Sequence, residues 1–232
     1  MGRNDQLEAG MDSPSFSIIT ATVGRPSLSR TISTVADAMS RAQAKYEHIL
    51  VWDDKREGLC PDAVSEYPNI VNLVAQGTTI AATAKMGLGW CASKNEWCMS
   101  LDDDCWVEDP MAYAKIASGI MAQDARWGFC RRVLYDKRGE RLGVDVYESI
   151  GNEPQTTAYA GETFCDMNTM FIRRDVAMTV SPYLCYTGDY YADRPAYRTL
   201  LRNHGPPVRI EDALVAYTLR DELVPTARRF CA

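Results

Sequence analysis

Apolar, β-branched runs alternate with helix-like stretches over the first 125 residues, and this alternation limits the available folds more than any other feature. "FSIITATV" (16–23) reads as a strand, "GRPS" breaks it, and a helix-like stretch follows from about Leu28 to Ala44. "EHILVWDD" (47–54) predicts a second strand, "NIVNLVAQG" (69–77) a short third and "EWCMSLDDD" (96–104) a fourth. "TIAATAKMGLGWCAS" (79–93) carries Ala, Met and Leu at helical spacing. "DPMAYAKIASGIMAQ" (109–123) reads as a helix with Pro110 in its first turn, where a missing N–H costs nothing. Such alternation predicts an α/β domain with a central, mostly parallel sheet flanked by helices.

After Ala125 the rhythm changes. "RWGFCRRVLYDKRGERLGVDVY" (126–147) predicts strands joined by a charged turn at Asp136–Gly139. "ETFCDMNTMFIRRDVAMTV" (162–180) predicts a strand and then a short helix, and "GDYYADRPAYRTLLRNHG" (188–205) a helix closed by Gly205. "PPVRIEDALVAYTLRDE" fits a strand or a helix on pattern alone. Residues 1–14 read as a flexible tail and 15–232 as a single domain.

Composition narrows the function. Hydrophobic residues make up 46% of the 232 and charged ones 24%, so the chain can bury a core without metal or disulfide support. A net charge of −6 argues against a general nucleic-acid binder, which needs a basic face for phosphates. The eight cysteines form no C-x-x-C pair and sit mainly in apolar stretches, which predicts small buried thiols in a reducing, intracellular setting. No run approaches the about 18 apolar residues of a membrane span. The polar start lacks the apolar core of a signal peptide, and Gln6 opposes a myristoylation signal. The expectation is a cytoplasmic chain without a transmembrane segment, with peripheral membrane contact as the alternative.

In an open α/β sheet, ligands bind beyond the carboxyl ends of the strands. Two predicted strands end there in acid: Asp53–Asp54 and Asp102–Asp103–Asp104. Adjacent carboxylates raise one another's pKa unless a cation neutralises them, and hard oxygens suit Mg²⁺ or Mn²⁺ with a substrate phosphate. Asp102 and Asp104 have D-x-D spacing and would share one side of an extended segment. Asp104 is the first choice for direct metal contact. Asp102 is assigned to the metal or a ribose, and the bland reading is an acidic turn before the next helix. Asp109 reads as a helix cap.

Thr20, Thr22, Gly24 and Arg25 follow the first strand and could cradle a base and a phosphate. Gln76 stands in another strand-end loop. Lys85 is assigned either to a phosphate or to solvent. Asp189 is the candidate general base at a helix start, with an N-terminal cap as the competing reading. Asp193 lies one turn later. Asp166 and Asn168 occupy a polar break and are candidates for an acceptor pocket. Arg173–Arg174 fit a phosphate contact or an exposed helix start. His48 reads as a core or edge histidine, and His204 as a helix-end residue or a third metal ligand.

The pieces "FSIITATVGRP", "HILVWDD", "MSLDDDCWVEDP", "MNTMFIRRDV" and "GDYYADRPAYRTLLRNHG" together resemble family 2 glycosyltransferases with the GT-A fold, over roughly residues 16–220. That resemblance implies an inverting transfer of one sugar from a nucleotide-diphosphate sugar, UDP- or GDP-linked, to a hydroxyl of a glycan, glycolipid or other acceptor, assisted by Mn²⁺ or Mg²⁺. It assigns residues 15–125 to the nucleotide sugar and 126–232 to the acceptor. By position it puts Thr20 and Asp53 or Asp54 on the nucleoside and Asp102–Asp104 on ribose and metal–diphosphate. Asn168 falls near donor sugar or acceptor, and Asp189 takes the place of the base. The chain departs from the family in reading "GD" where an "ED" pair is usual and "VWDDKREG" where "VDDGS" is usual. It lacks "QxxRW" and membrane spans, so single transfer is expected rather than polymer synthesis, with a homo-oligomer compatible. The alternatives are a nucleotidyltransferase making a sugar nucleotide and a non-catalytic nucleotide- or sugar-binding module.

Overall fold

The computed structural model describes residues 13–53, 58, 60–75, 82–144, 166–187, 193–219, 221, 224, 225 and 228. Its strands are β1 (Phe16–Thr22), β2 (Tyr46–Asp53), β3 (Ile70–Ala75), β4 (Trp97–Ser100), β5 (Cys105–Val107), β6 (Trp127–Tyr135), β7 (Arg141–Val144), β8 (Met170–Arg173) and β9 (Val208–Thr218). Its helices are α1 (Leu28–Ala42), α2 (Ala82–Ala92), α3 (Ala112–Gln123), α4 (Arg174–Thr187) and α5 (Asp193–His204). All nine strands belong to one sheet of order β3-β2-β1-β4-β8-β6-β9-β5, with β7 hydrogen-bonded to β6.

β1 is buried along all seven of its residues because helices cover both sheet faces. Successive side chains in a strand point to opposite faces. Phe16 and Ile18 therefore pack with Val35 and Met39 of α1 and Tyr113 and Ile116 of α3. Ile19 and Ala21 pack on the other face with Met86 and Trp90 of α2, Val180 and Leu184 of α4 and Leu200 of α5. Gly89 of α2 lies so close to β1 that an added Cβ would stand 2.3 Å from Ile19 Cγ2. Glycine is what lets that helix seat on the sheet.

The expectation of a mostly parallel sheet needs correction. β1 pairs in parallel with β2 and β4, and β2 with β3, but β8 runs antiparallel to β4 and to β6. β6 and β9 are parallel, while β5 opposes β9. The sheet is mixed because the second half lacks the regular helical crossovers that return a chain to the same end. The Asp136–Gly139 turn shows why. Asp136 accepts the amides of Arg138 and Glu140, Gly139 adopts φ 79°, and so short a turn leaves β7 antiparallel to β6. The ambiguous C-terminal segment is a strand, β9. "EWCMSLDDD" is strand only as far as Ser100.

β1 and β2 end side by side at Thr22 and Asp53, and β4 ends at Ser100, level with Ile19 of β1. Among the described residues, Asp53 and Asp102–Asp104 lie at or just beyond these strand ends. No helix among the described residues is long and apolar enough to cross a membrane.

Candidate active site

The triple aspartate is a tight turn rather than a strand end. The Cys105 amide donates to the Asp102 carbonyl at 3.0 Å, closing a four-residue turn between β4 and β5. Aspartate is favoured at the first position of such turns. Leu101 N–H bonds Ile19 O on the near side, and Thr31 Oγ1 donates to Cys105 O at 2.6 Å on the far side, so the turn is anchored to β1 and α1.

Within the turn the three carboxylates have different work. Asp103, only 3% exposed, turns back into the protein. It accepts from Thr22 Oγ1 at 2.7 Å and from Arg25 at 2.9 Å, and Thr22 Oγ1 in turn accepts the Gly24 amide at 2.8 Å. Thr22 and Arg25, expected to cradle a nucleotide, therefore clamp the turn, although half-exposed Arg25 also reaches Asp104 at 3.4 Å.

Asp102 is held by Asn168. The Asp102 amide donates to Asn168 Oδ1 at 2.6 Å, and Asn168 Nδ2 donates to Asp102 Oδ2 at 2.9 Å. The same Nδ2 reaches Asp166 Oδ1 at 2.8 Å, and Asp166 pairs with buried Arg132 at 2.5 Å. The pair Asp166 and Asn168, expected near an acceptor, thus stands directly behind Asp102.

Asp102, Asp104 and Cys105 each offer a ligand atom, all within 4.8 Å of one another. The D-x-D residues meet as their spacing predicts, though through a turn rather than an extended segment. Burial pushes the Asp102 carboxyl up to about 7, with Asp104, Asp166 and Asp103 adding repulsion against Asn168's hydrogen bond. Asp104 is raised by burial and Asp103, with Arg25 opposing. Burial also raises the Cys105 thiol well above its ordinary range, helped by Asp102 and Asp104. Burial works against Asp166, but Arg132 and the Asn168 bonds overcome it and hold its carboxyl low. The result is a cluster short of positive charge on one side only. The two carboxylates at this spacing fit a hard divalent cation, for which the buried, protonated Cys105 thiol is a poor donor.

At the end of β2, Asp53 accepts from Lys85 at 2.6 Å, with both side chains about 5% exposed. This buried pair ties β2 to α2 and brings the expected nucleoside residue and the expected phosphate residue together. Thr20 sits deeper, fully buried, with its hydroxyl 2.9 Å from His48 Nε2. Burial lowers His48 to about 3, so its ring is neutral, a core histidine. Asp109 caps α3 by accepting the Met111 amide at 2.8 Å. Arg173 pairs with Asp175, Arg174 donates to Ser93 O, and His204 engages Thr179 at the end of α5. Asp54, Gln76 and Asp189 lie outside the described residues, as does the side chain of Asp193.

Arg132 and Cys105 were not singled out from the sequence. The signal for Arg132 is its parity: in "GFCRRVLY", Arg131 faces out to Glu211, so its neighbour faces in and requires a buried anion.

No family model matches the chain, and no curated protein matches it. Its fold is similar to that of S. aureus TarS. The crystal structure of S. aureus TarS 1–349 superimposes with TM-score 0.64 at 13% identity, over 88% of this chain and 60% of that one. The complex of that fragment with UDP-GlcNAc gives 0.59 at 11% identity, over 89% and 59%. The complex with UDP gives 0.60 at 12% identity, over 93% and 64%. This chain thus spans about three-fifths of the fragment it resembles.

Two measurements test the electrostatics. Asp53→Asn leaves Lys85 buried without its carboxylate and should cost about 3–5 kcal/mol in urea unfolding; adding Lys85→Met should recover most of it. The raised Asp102 pKa means that the folded protein holds a proton the unfolded chain releases. Asp102 therefore lowers stability progressively as pH rises from about 4 to about 7. In chelator, Asp102→Asn should gain stability relative to the parent across that window, and a pH-independent difference would refute the assignment.

Proposed function

We propose that this chain is a GT-A glycosyltransferase that moves a single sugar from a nucleotide-diphosphate sugar to an acceptor hydroxyl with inversion. The carrying observation is the convergence of Asp102 and Asp104 at the carboxyl edge of β1, β2 and β4 while Asp103 is turned away. The fold shared with a protein crystallised with UDP-GlcNAc supports a donor of that class and makes UDP-sugars the first to try.

In this reading Asp102 and Asp104 hold Mn²⁺ or Mg²⁺, which neutralises the charge of the departing diphosphate when bound. Asp53 is assigned to the nucleoside side, with Asp54 and Gln76, which follow β2 and β3 in sequence, as further candidates. Arg25 keeps the turn in place and lends positive charge beside Asp104. Asp189 takes the proton from the acceptor hydroxyl as that oxygen attacks the anomeric carbon and the nucleoside diphosphate leaves. Asp166, Asn168 and Asp193 belong to the acceptor side, the first two by fixing Asp102.

Incubation with UDP-sugars and GDP-sugars, with and without Mn²⁺, tests the proposal. Free nucleoside diphosphate is the expected product. Pyrophosphate would instead indicate nucleotidyl transfer, and metal-dependent binding without turnover a binding module. Asp104→Ala should weaken nucleotide binding at least tenfold in Mn²⁺ and little in chelator; equal affinity in both would exclude the metal role. Asp189→Asn should lower kcat by about 10²-fold or more with donor affinity retained, as expected for loss of a general base. Undiminished turnover would remove Asp189 from the mechanism.

A further inference from the structure

Beside Asp104 opens a cleft of about 370 Å³, lined by Ser27, Arg30, Asp104, Trp106, Lys137 and Leu219 among others. Its volume lies at the small end of ligand sites, which run from about 300 to 1,000 Å³. One sugar-sized group is the natural occupant.

Arg30 of the lining is held in a fixed place. The Arg30 guanidinium carbon lies 3.5 Å from the centroid of the Trp106 ring, a stacked cation–π contact. Trp106 cannot swing away. Its Nε1 donates to Glu108 at 2.7 Å, Tyr135 OH donates to the other Glu108 oxygen at 2.7 Å, and the Trp106 and Tyr135 rings stand 5.1 Å apart. Arg30 makes no ion pair with any described residue, and its side chain is exposed. A guanidinium whose face is stacked keeps its N–H edges available, and that planar fork suits phosphate or carboxylate oxygens. Lys137 also lines the cleft, with its ammonium taken up by Asp221 at 2.8 Å.

We infer that this cleft binds the anionic group of the sugar acceptor, a phosphate on the acceptor glycan, with Arg30 as the specificity-determining contact. The inference rests on the reading that Asp102 and Asp104 mark the donor side, for only then does the cleft adjoin the reacting carbon. Arg30 gives the anion its attraction and Asp104, where that reading puts the metal, marks the donor end, so a phosphorylated sugar would enter in one orientation. The chain's net charge of −6 makes such a local cation a matter of selection rather than general attraction.

Glucose 6-phosphate, glucose and UDP with Mn²⁺ are the probes, titrated calorimetrically into the full chain and its Arg30→Ala and Arg30→Lys variants, with thermal melts confirming folding. Glucose 6-phosphate should bind the parent and glucose should not. Arg30→Ala should weaken the sugar phosphate at least tenfold, Arg30→Lys less, and UDP affinity should be the same in all three. UDP and the sugar phosphate should bind together. Equal binding by Arg30→Ala, absence of binding by the parent, or one-for-one displacement by UDP would each overturn the inference. If the sugar phosphate binds through Arg30 but no nucleoside diphosphate binds, the anion cleft stands and the sugar-transfer reading falls.

Discussion

Asp103 gives its carboxylate to Thr22 and Arg25, and the direction of its two neighbours follows from that. In a four-residue turn the three side chains cannot all face one way. With the middle one drawn back onto the β1–α1 loop, Asp102 and Asp104 are left on the side where β1, β2 and β4 end. The clamp is strong for a physical reason. A carboxylate 3% exposed would be costly without partners, and here a hydroxyl and a guanidinium meet its two oxygens. Thr22 is also fixed by the Gly24 amide, so the loop and the turn position each other.

The remaining charges divide unevenly. Asp166 has Arg132, a guanidinium buried in β6, and stays ionised despite burial. Asp102 has only the neutral amide of Asn168, which orients it without cancelling its charge. One Asn therefore bridges a satisfied carboxylate and an unsatisfied one. The asymmetry is informative because a purely structural acidic turn would gain by pairing every member. The deficit is greatest at Asp102, since Arg25 reaches Asp104, and a cation would be accepted between the two carboxylates in a geometry that Asn168 fixes.

The first half of the fold was legible because its hydrophobic runs are plain: "FSIITAT" and "EHILVWD" lie in parallel strands that end in polar residues, Thr22 and Asp53. The convergence of Asp102 with Asp104 was legible from spacing, but its cause was not. Extended geometry and a tight turn both bring alternate side chains together, and only the hydrogen bond from Cys105 to Asp102 distinguishes them. The antiparallel half was hidden for a different reason. Strand direction depends on how connections run, and "MFIR" carries no mark that it will lie against β4 head to tail. The partnership of Asp53 with Lys85 was also invisible, since 32 residues separate them, and alone Asp53 reads as a nucleoside contact and Lys85 as a phosphate contact or a solvated lysine.

The mixed sheet also bears on how donor and acceptor could be kept apart. Helical crossovers place the ends of β1, β2 and β4 in one row, a regular edge suited to a nucleotide. After the turn the chain crosses to β5, which pairs with β9 at the other margin of the sheet. The turn therefore leads in the chain from β4, parallel to β1, to β5, antiparallel to β9. A sugar bound from one side and a hydroxyl presented from the other would meet at Asp104 without competing for the same surface. Arg30 comes to the cleft from α1 and Trp106 from β5, so the lining beside Asp104 joins the first crossover helix to the strand after the turn.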